Sequence, residues 1–299
     1  MHRYLKASGF RNYTEKDIHG LLWSRIISSE YLSEKLYIGD SCYVCEFRMG
    51  LNDNIGICAA VLYNGSDFSE LLYYFPYYDT CEVSSFSSCT LERHTAVDTY
   101  AGIIDEYSIG ISLIFFLTNS LEYRSKTDIN PDTEFSGTCL SAFANEGTVI
   151  LPVADNSNDL YNETAALNHE ELLAAAMGGD EEAIETLTES ELNMFQELSD
   201  RIETEDLYSV VEQSFMPCGV ECDQYSIIGE ILDVDSTSNN ITKEELWLLR
   251  ISCNDIVFRL CIGKQDLLGE PAKGRRIKCR LWMQGKIDLQ NIVQELQDL

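Results

Sequence analysis

The sequence predicts an α+β protein, because three blocks of different composition follow one another along its 299 residues. Residues 1–153 combine one amphipathic helix pattern with several segments rich in Tyr, Val, Ile and Cys, which is typical of a mixed sheet-and-helix domain. Residues 163–217 are dominated by Ala, Leu and Glu, which predicts an acidic helical segment. Residues 218–299 contain short apolar strands at close spacing, which predicts a small β-rich, barrel-like domain.

The first block supports this assignment element by element. Thr14 and Asp17 resemble a capping box, and apolar residues follow at helical spacing, so a helix is predicted over 15–28. The turn-forming residues 52–54 predict a hairpin between two strands, and residues 109–117 fit either a buried strand or a core helix. The strands predicted in this block cover residues 36–48, 54–63, 71–77 and 147–152.

The other two blocks are separated from the first by a polar, turn-rich stretch over 154–162, which predicts a linker. From 155 to 213 the chain carries 17 acidic residues and one basic residue, a net charge of −16, and its last predicted helix covers 205–215. The final residues, after 287, have the pattern of an amphipathic tail. The strands predicted in the third block cover residues 225–234, 246–253, 256–262 and 276–282.

Charge and cysteine content limit the function classes. The net charge is 21 − 50 = −29, which repels nucleic acid and anionic lipid from the molecule as a whole. The longest apolar run, over 111–117, is far shorter than a bilayer span, and the first residues lack the apolar core of a secretion signal. The 11 cysteines are odd in number and lie among apolar residues, as expected for reduced thiols. We therefore expect a cytoplasmic protein with no membrane partner.

Catalytic motifs give little support for an enzyme. The sequence lacks the glycine-rich nucleotide loops, the serine-hydrolase elbow and the zinc-protease motif. The best candidate for a catalytic residue is His94, a possible general base near the carboxylates of Glu92, Asp98, Asp105 and Glu106. A salt-bridged loop explains the same residues without a nucleophile, so the sequence favours a protein that is not an enzyme.

Two patterns resemble metal sites. Cys42-x-x-Cys45 would need Cys218 and Cys222 to complete a zinc site, but residues three apart on a strand face opposite sides. Residues 233–244 place oxygen-bearing side chains as in a calcium loop, but lack the glycine of its sharp turn. A structural role is favoured for both patterns, and the sequence predicts no metal and no cofactor.

A basic island over 273–282 is the strongest candidate for ligand binding. On a strand, Arg276, Lys278, Arg280 and Trp282 share one face, and cations next to an aromatic ring hold single-stranded nucleic acid in barrel proteins. The alternatives are the solvent face of a half-buried strand and a docking face for the acidic helices. The negative net charge favours these alternatives, so nucleic acid is expected only locally, if at all.

Several short strings are distributed over residues 1 to about 287: 1–10 (MHRYLKASGF), 73–77 (YYFPY), 92–94 (ERH), 110–115 (GISLIF), 178–187 (GGDEEAIETL), 215–217 (FMP), 219–225 (GVECDQY) and 281–285 (LWMQG). As a set, they resemble an uncharacterised bacterial, Firmicute-type family, domain of unknown function 3881. The resemblance implies a bacterial cytosolic protein and assigns no catalytic residue.

Together these observations favour a non-enzymatic protein-interaction or structural module, with an unidentified protein partner or self-association. The first alternative is a nucleic-acid or nucleotide-responsive module that uses the basic strand over 273–282. The second is a hydrolase-like enzyme centred on His94.

Overall fold

Strands make up most of the described chain. The structure is a computed structural model that describes residues 2–27, 32–65, 67–93, 99–106, 109–125, 137–152, 180, 186 and 211–287. The helices are α1 (Glu15–Ile27) and α2 (Ser120–Ser125), with 3-10 helices at Arg3–Ser8 and Lys264–Asp266. The strands are β1 (Leu32–Tyr37), β2 (Cys42–Gly50), β3 (Ile55–Asn64), β4 (Asp67–Tyr78), β5 (Cys89–Arg93), β6 (Tyr100–Glu106), β7 (Ile111–Leu117), β8 (Thr138–Ile150), β9 (Ser214–Pro217), β10 (Gln224–Ser238), β11 (Glu245–Cys253), β12 (Ile256–Gly263), β13 (Leu267–Leu268) and β14 (Arg276–Ile287).

The first four strands form an antiparallel sheet in the order β1-β2-β3-β4. The turn between β2 and β3 is the predicted one, since Asn52 Oδ1 accepts hydrogen bonds from the backbone N–H groups of Asn54 (3.0 Å) and Ile55 (2.8 Å). The prediction of one strand over 36–48 is wrong in one respect. A bend at residues 38–41 divides that stretch into the end of β1 and β2.

Helix α1 covers part of one face of this sheet and begins at the predicted capping box. Asp17 Oδ2 accepts a hydrogen bond from the N–H of Thr14 (2.8 Å), and Thr14 Oγ1 accepts one from the N–H of Asp17 (3.3 Å). The apolar side of the helix, with Ile18 and Leu22, is fully buried in the core that contains Phe47 of β2. The helix predicted over 15–28 is therefore confirmed.

Five strands close a barrel in the order β8-β12-β11-β10-β14 and back to β8. Strand β8 runs parallel to β12 and antiparallel to β14. These strands contribute to a common apolar core that includes Ile251, Phe258 and Leu281. The barrel-like prediction is therefore confirmed, although β8 comes from the first block of the sequence.

The same sheet continues beyond the barrel through β7, β6 and β5, which extend from β14. Here the ring of Phe115 on β7 packs against Gly102 of β6 and Gly285 of β14, where a Cβ atom would overlap the ring. Residues 109–117, which the sequence left open between strand and helix, are thus mainly strand. Within the described ranges, neither helix has the length and apolar character needed to cross a membrane.

The architecture corrects the predicted α+β class, because the described chain is mostly β. The first block contains the four strands of one sheet and four strands of the other, β5 to β8, but its only described helix longer than six residues is α1. The acidic helical segment lies outside the described residues, except for positions such as Asp180 and Thr186. Its predicted end is wrong: Phe215 lies on β9, which pairs with β10, and its side chain is buried against Tyr225.

The division of the chain also differs from the predicted boundaries. One compact unit contains Met1–Ile150 together with Gln213–Leu299, and the second unit is Leu151–Glu212. The predicted domains 1–153 and 218–299 share one unit because β8 and β7 pair with strands of the third block. Buried Gln284 adds a side-chain link, since its Nε2 donates to the Pro76 carbonyl (2.6 Å) and its Oε1 accepts from the N–H of Tyr78 (3.3 Å).

Candidate functional site

The basic strand predicted as a ligand-binding face is β14, and its four candidate residues are in two different environments. Lys278 and Arg280 are exposed, whereas Arg276 and Trp282 are each only 4% exposed. If every second residue of β14 faced solvent, all four side chains would be exposed. Lys278 and Arg280 follow this pattern, but Arg276 and Trp282, at the two ends of the basic stretch, are buried. At the Trp282 end, the segment that precedes α1 packs over the strand.

Trp282 is the centre of a buried aromatic cluster, which we call the indole cluster. Its ring lies 4.6 Å from the ring centroid of His2 and 5.6 Å from that of Tyr4, with the Tyr4 ring nearly parallel. Its Nε1 donates a hydrogen bond to Asp223 Oδ2 (2.8 Å). Phe116 completes the cluster at 5.3 Å. Trp282 is therefore already packed and hydrogen-bonded, and it offers no exposed ring face on which a base could stack.

His2 belongs to the indole cluster and also lines a groove of about 350 Å3 with His19, Glu15 and residues 71–74. Its Nδ1 accepts a hydrogen bond from the N–H of Tyr4 (3.3 Å). Burial lowers the pKa of His2 to about 4, so its imidazole is neutral at physiological pH. These contacts give His2 the role of holding the segment before α1 against Trp282. Sequence reasoning missed this role because it depends on residues 280 positions apart.

The catalytic candidate His94 and its neighbour Asp98 lie outside the described residues. Two of the nearby carboxylates already have hydroxyl partners: Asp105 accepts a hydrogen bond from Ser112, and Glu106 accepts one from Ser85. The described members of the cluster, Glu92, Asp105 and Glu106, therefore lie on strands, and the last two already accept hydrogen bonds.

Neither metal-like pattern forms a metal site in the described chain. None of the eleven cysteines forms a disulfide, and no three His, Cys, Asp or Glu side chains within the described residues are grouped so that they could hold a metal ion. Residues 233–238 of the calcium-like pattern are part of β10, so they are extended and do not form a loop. The turn that follows is held by buried Asn239, whose Oδ1 accepts from the N–H groups of Ile241 (2.8 Å) and Thr242 (3.1 Å).

A different feature stands out on the four-stranded sheet. Five aromatic side chains form a continuous line across all four strands and onto α1, with consecutive ring centroids 5.5, 5.2, 6.2 and 4.4 Å apart. We call this line the aromatic row. In order, its members are Tyr37, Tyr43, Tyr63, Phe68 and Trp23.

Strand register produces the aromatic row. Tyr37 is paired with Tyr43, Tyr43 with Tyr63, and Tyr63 with Phe68, so the four residues lie directly opposite one another on adjacent strands. Cross-strand partners share a face of the sheet, and their side chains are close enough for ring contact. Trp23 continues the row because α1 places its ring against the edge of Phe68.

The row is accessible at both ends. Tyr37 is 66% exposed and Trp23 is 48% exposed, while the three central rings are half-buried. Lys35 of β1 places its ammonium group 4.8 Å from the ring centroid of Tyr43. Burial raises the pKa of Tyr63, so its hydroxyl stays protonated at physiological pH. Only the Tyr43–Tyr63 pair follows from a predicted hairpin, the one around residues 52–54. The predicted strand over 36–48 placed Tyr37 and Tyr43 on the same strand, and Phe68 lay outside the predicted strands, so the sequence did not reveal the row.

Fold and surface together define a mostly β protein with a closed five-stranded barrel and an exposed line of aromatic rings. The chain belongs to the family described as "Domain of unknown function, E. rectale Gene description (DUF3881)", whose model matches residues 5–285. This confirms the family resemblance given by the sequence. No curated protein and no solved structure is significantly similar to the chain.

Proposed function

We propose that the chain is a non-enzymatic protein-interaction module of the cytoplasm, and that a partner protein docks on the aromatic row. The observation that supports this most strongly is the unbroken contact of five rings across four strands, with the two end residues about half exposed or more. Tyr and Trp are enriched at protein interfaces and contribute most to binding energy there. Cysteines that form no disulfide fit a reducing compartment.

The arrangement of the rings favours a protein surface over a planar small ligand. Tyr43 and Tyr63 are stacked with an angle of 7° between their planes, so each ring already uses one face on the other. Tyr37 and Phe68 contact the outer sides of this pair. A sugar or a base needs a free ring face, whereas a protein surface can cover the whole row and bury its apolar area.

The nucleic-acid alternative has less support. Lys278 and Arg280 are exposed, but buried Trp282 cannot provide the base stacking that this alternative requires of it. The net charge of −29 opposes binding of a polyanion. The enzyme alternative depends on His94, which lies outside the described residues.

Site-specific photo-crosslinking in the cells that make the protein tests the proposed function. Tyr37 is replaced by p-benzoylphenylalanine in the full chain, and the matched control carries the same group at Phe86, which is 81% exposed and lies outside the row. We expect one adduct of defined mass from position 37 and none from position 86. The adduct should disappear when Trp23 and Tyr63 are both replaced by Ala.

Three results would overturn the proposal. One is the absence of an adduct from position 37. Another is an adduct that forms equally from both positions, which would indicate non-specific contact. The third is an adduct whose mass is twice that of the chain, which would mean that the row binds a second copy and that self-association replaces the heterologous partner.

A further inference from the structure

We infer that the partner segment bound by the aromatic row is cationic and presents Lys or Arg side chains to the tyrosine rings. This inference rests on the proposed function and specifies the chemistry of the partner. Three observations support it: a lysine already in contact with the row, exposed carboxylates close to it in the sequence, and the net charge of the chain.

The lysine contact shows how a cation binds to the row. The ammonium group of Lys35 lies 4.8 Å from the centroid of the Tyr43 ring, within the range of a cation–π interaction. Lys35 and Tyr43 are on neighbouring strands, and Lys35 is exposed. The chain's own lysine therefore occupies a position that a partner's Lys or Arg could take or share.

Carboxylates accompany the row along the chain. Asp40 is exposed in the bend that joins β1 to β2, between Tyr37 and Tyr43 in sequence. Glu70 is exposed on β4, two residues after Phe68. Asp40 and Glu70 thus contribute two negative charges close to the row in the sequence. A cationic segment over the rings would therefore also gain Coulombic attraction from these carboxylates.

The net charge of the whole molecule disfavours binding of a second copy or of an acidic partner to the aromatic row. At −29, the chain attracts cations and repels anions over distances comparable to the screening length. A second copy would bring another charge of −29 and the same carboxylates to the interface. A basic partner segment is thus favoured over a second copy and over an acidic partner.

Substitution of Lys35 distinguishes a cationic partner segment from an anionic one, because the two would respond in opposite directions. If the bound segment is cationic, Lys35→Gln removes a like charge next to the Tyr43 ring, so binding becomes tighter. If the bound segment is anionic, the same substitution removes an attractive charge, so binding becomes weaker. Because Lys35 is exposed, this substitution leaves the core unchanged.

The test is fluorescence anisotropy with the full chain and two labelled dodecapeptides, one of alternating Lys and Gly and one of alternating Glu and Gly. We expect the Lys peptide to bind and the Glu peptide not to bind. Replacing Tyr37 and Tyr43 together by Leu keeps the surface apolar but removes the tyrosine rings, and should weaken Lys-peptide binding about two- to fivefold for each ring. Lys35→Gln should strengthen it, and Phe86→Ala should leave it unchanged.

Two results would overturn the inference. One is failure of the Lys peptide to bind. The other is equal binding by the wild type and the Tyr37→Leu, Tyr43→Leu variant, which would mean that the peptide responds only to the overall charge. If either of these results is obtained although the crosslink at position 37 forms, a partner still docks on the aromatic row, but its bound segment is not cationic. If the crosslink does not form, the proposed function fails as well.

Discussion

The indole cluster and the aromatic row contain the same kinds of side chain at similar spacing, yet one is core and the other is surface. Ring centroids are 4.6–5.6 Å from Trp282 in the indole cluster and 4.4–6.2 Å apart along the row. In the cluster, the segment before α1 covers the rings and Asp223 satisfies the indole N–H. In the row, Tyr37 and Trp23 remain accessible to solvent.

The difference teaches that ring contact alone does not separate core from binding surface. What separates them is whether another part of the chain covers the rings and pairs their polar atoms. A buried indole N–H without a hydrogen-bond acceptor would carry a desolvation cost, so the hydrogen bond to Asp223 is what allows Trp282 to be buried. An exposed row has no such requirement, and its aromatic area remains available to a partner.

The largest expected difference is between the two tryptophans. Trp282→Ala should lower the free energy of unfolding by about 3–5 kcal/mol, because it empties a packed site and removes one hydrogen-bond donor to the Asp223 carboxylate. Trp23→Ala should cost no more than about 1 kcal/mol, because its ring is half exposed. Urea unfolding of the two variants measures this difference, and equal losses would contradict it.

A smaller effect should appear on acidification. The pKa of His2 is lowered by burial to about 4 in the folded state from 6.5, so the unfolded chain binds a proton at a higher pH than the folded chain. The stability from neutral His2 is complete above pH 6.5 and is lost as the pH falls toward 4, by about 2 kcal/mol at pH 5.

The variant His2→Gln provides the control for this pH effect, because it removes the titration and leaves other acidic groups in place. The difference in unfolding free energy between pH 7.5 and pH 5 should be smaller in His2→Gln than in the wild type. Identical pH dependence in the two chains would show that His2 does not titrate as a buried group of the indole cluster.

The smallest effect is expected for the exposed cations of β14. Replacing Lys278 and Arg280 together by Gln should change the unfolding free energy by about 0.5 kcal/mol or less and should leave the crosslink at position 37 intact. Anisotropy with a labelled single-stranded oligonucleotide at low salt should detect no binding to wild type. Salt-sensitive binding that is lost in the double variant would instead restore the nucleic-acid alternative.

Local signals predicted much of the fold. The capping box at Thr14 and Asp17 and the turn at Asn52 each depend on a few neighbouring residues, so the sequence identifies them directly. Pairing between distant strands has no such signal. Ala144 of β8 faces Ile262 of β12 in a parallel register, and nothing near either residue in the sequence indicates this contact.

The candidate site shows the same difference between local signals, which the sequence reveals, and contacts between distant residues, which it does not. Alternation along β14 correctly indicated that Lys278 and Arg280 are exposed. It failed for Trp282, because the residues that cover it, His2 and Tyr4, lie at the opposite end of the chain. The aromatic row depends on three pairings between neighbouring strands, and only that of Tyr43 with Tyr63 follows from the predicted hairpin. The other two were missed because the bend at residues 38–41 and the start of β4 before residue 71 were not predicted.

The position of β14 has a consequence for biosynthesis. This strand pairs with β7, β8 and β10, and it is the last strand in the described chain. A ribosome therefore has to synthesise the chain through β14 before the barrel can close. Until then, the facing edges of β8 and β10 lack their common partner, and such unpaired edges are sites of aggregation in nascent chains. Premature termination before residue 276 should accordingly yield an insoluble product, even though the four-stranded sheet with its aromatic row has already been translated.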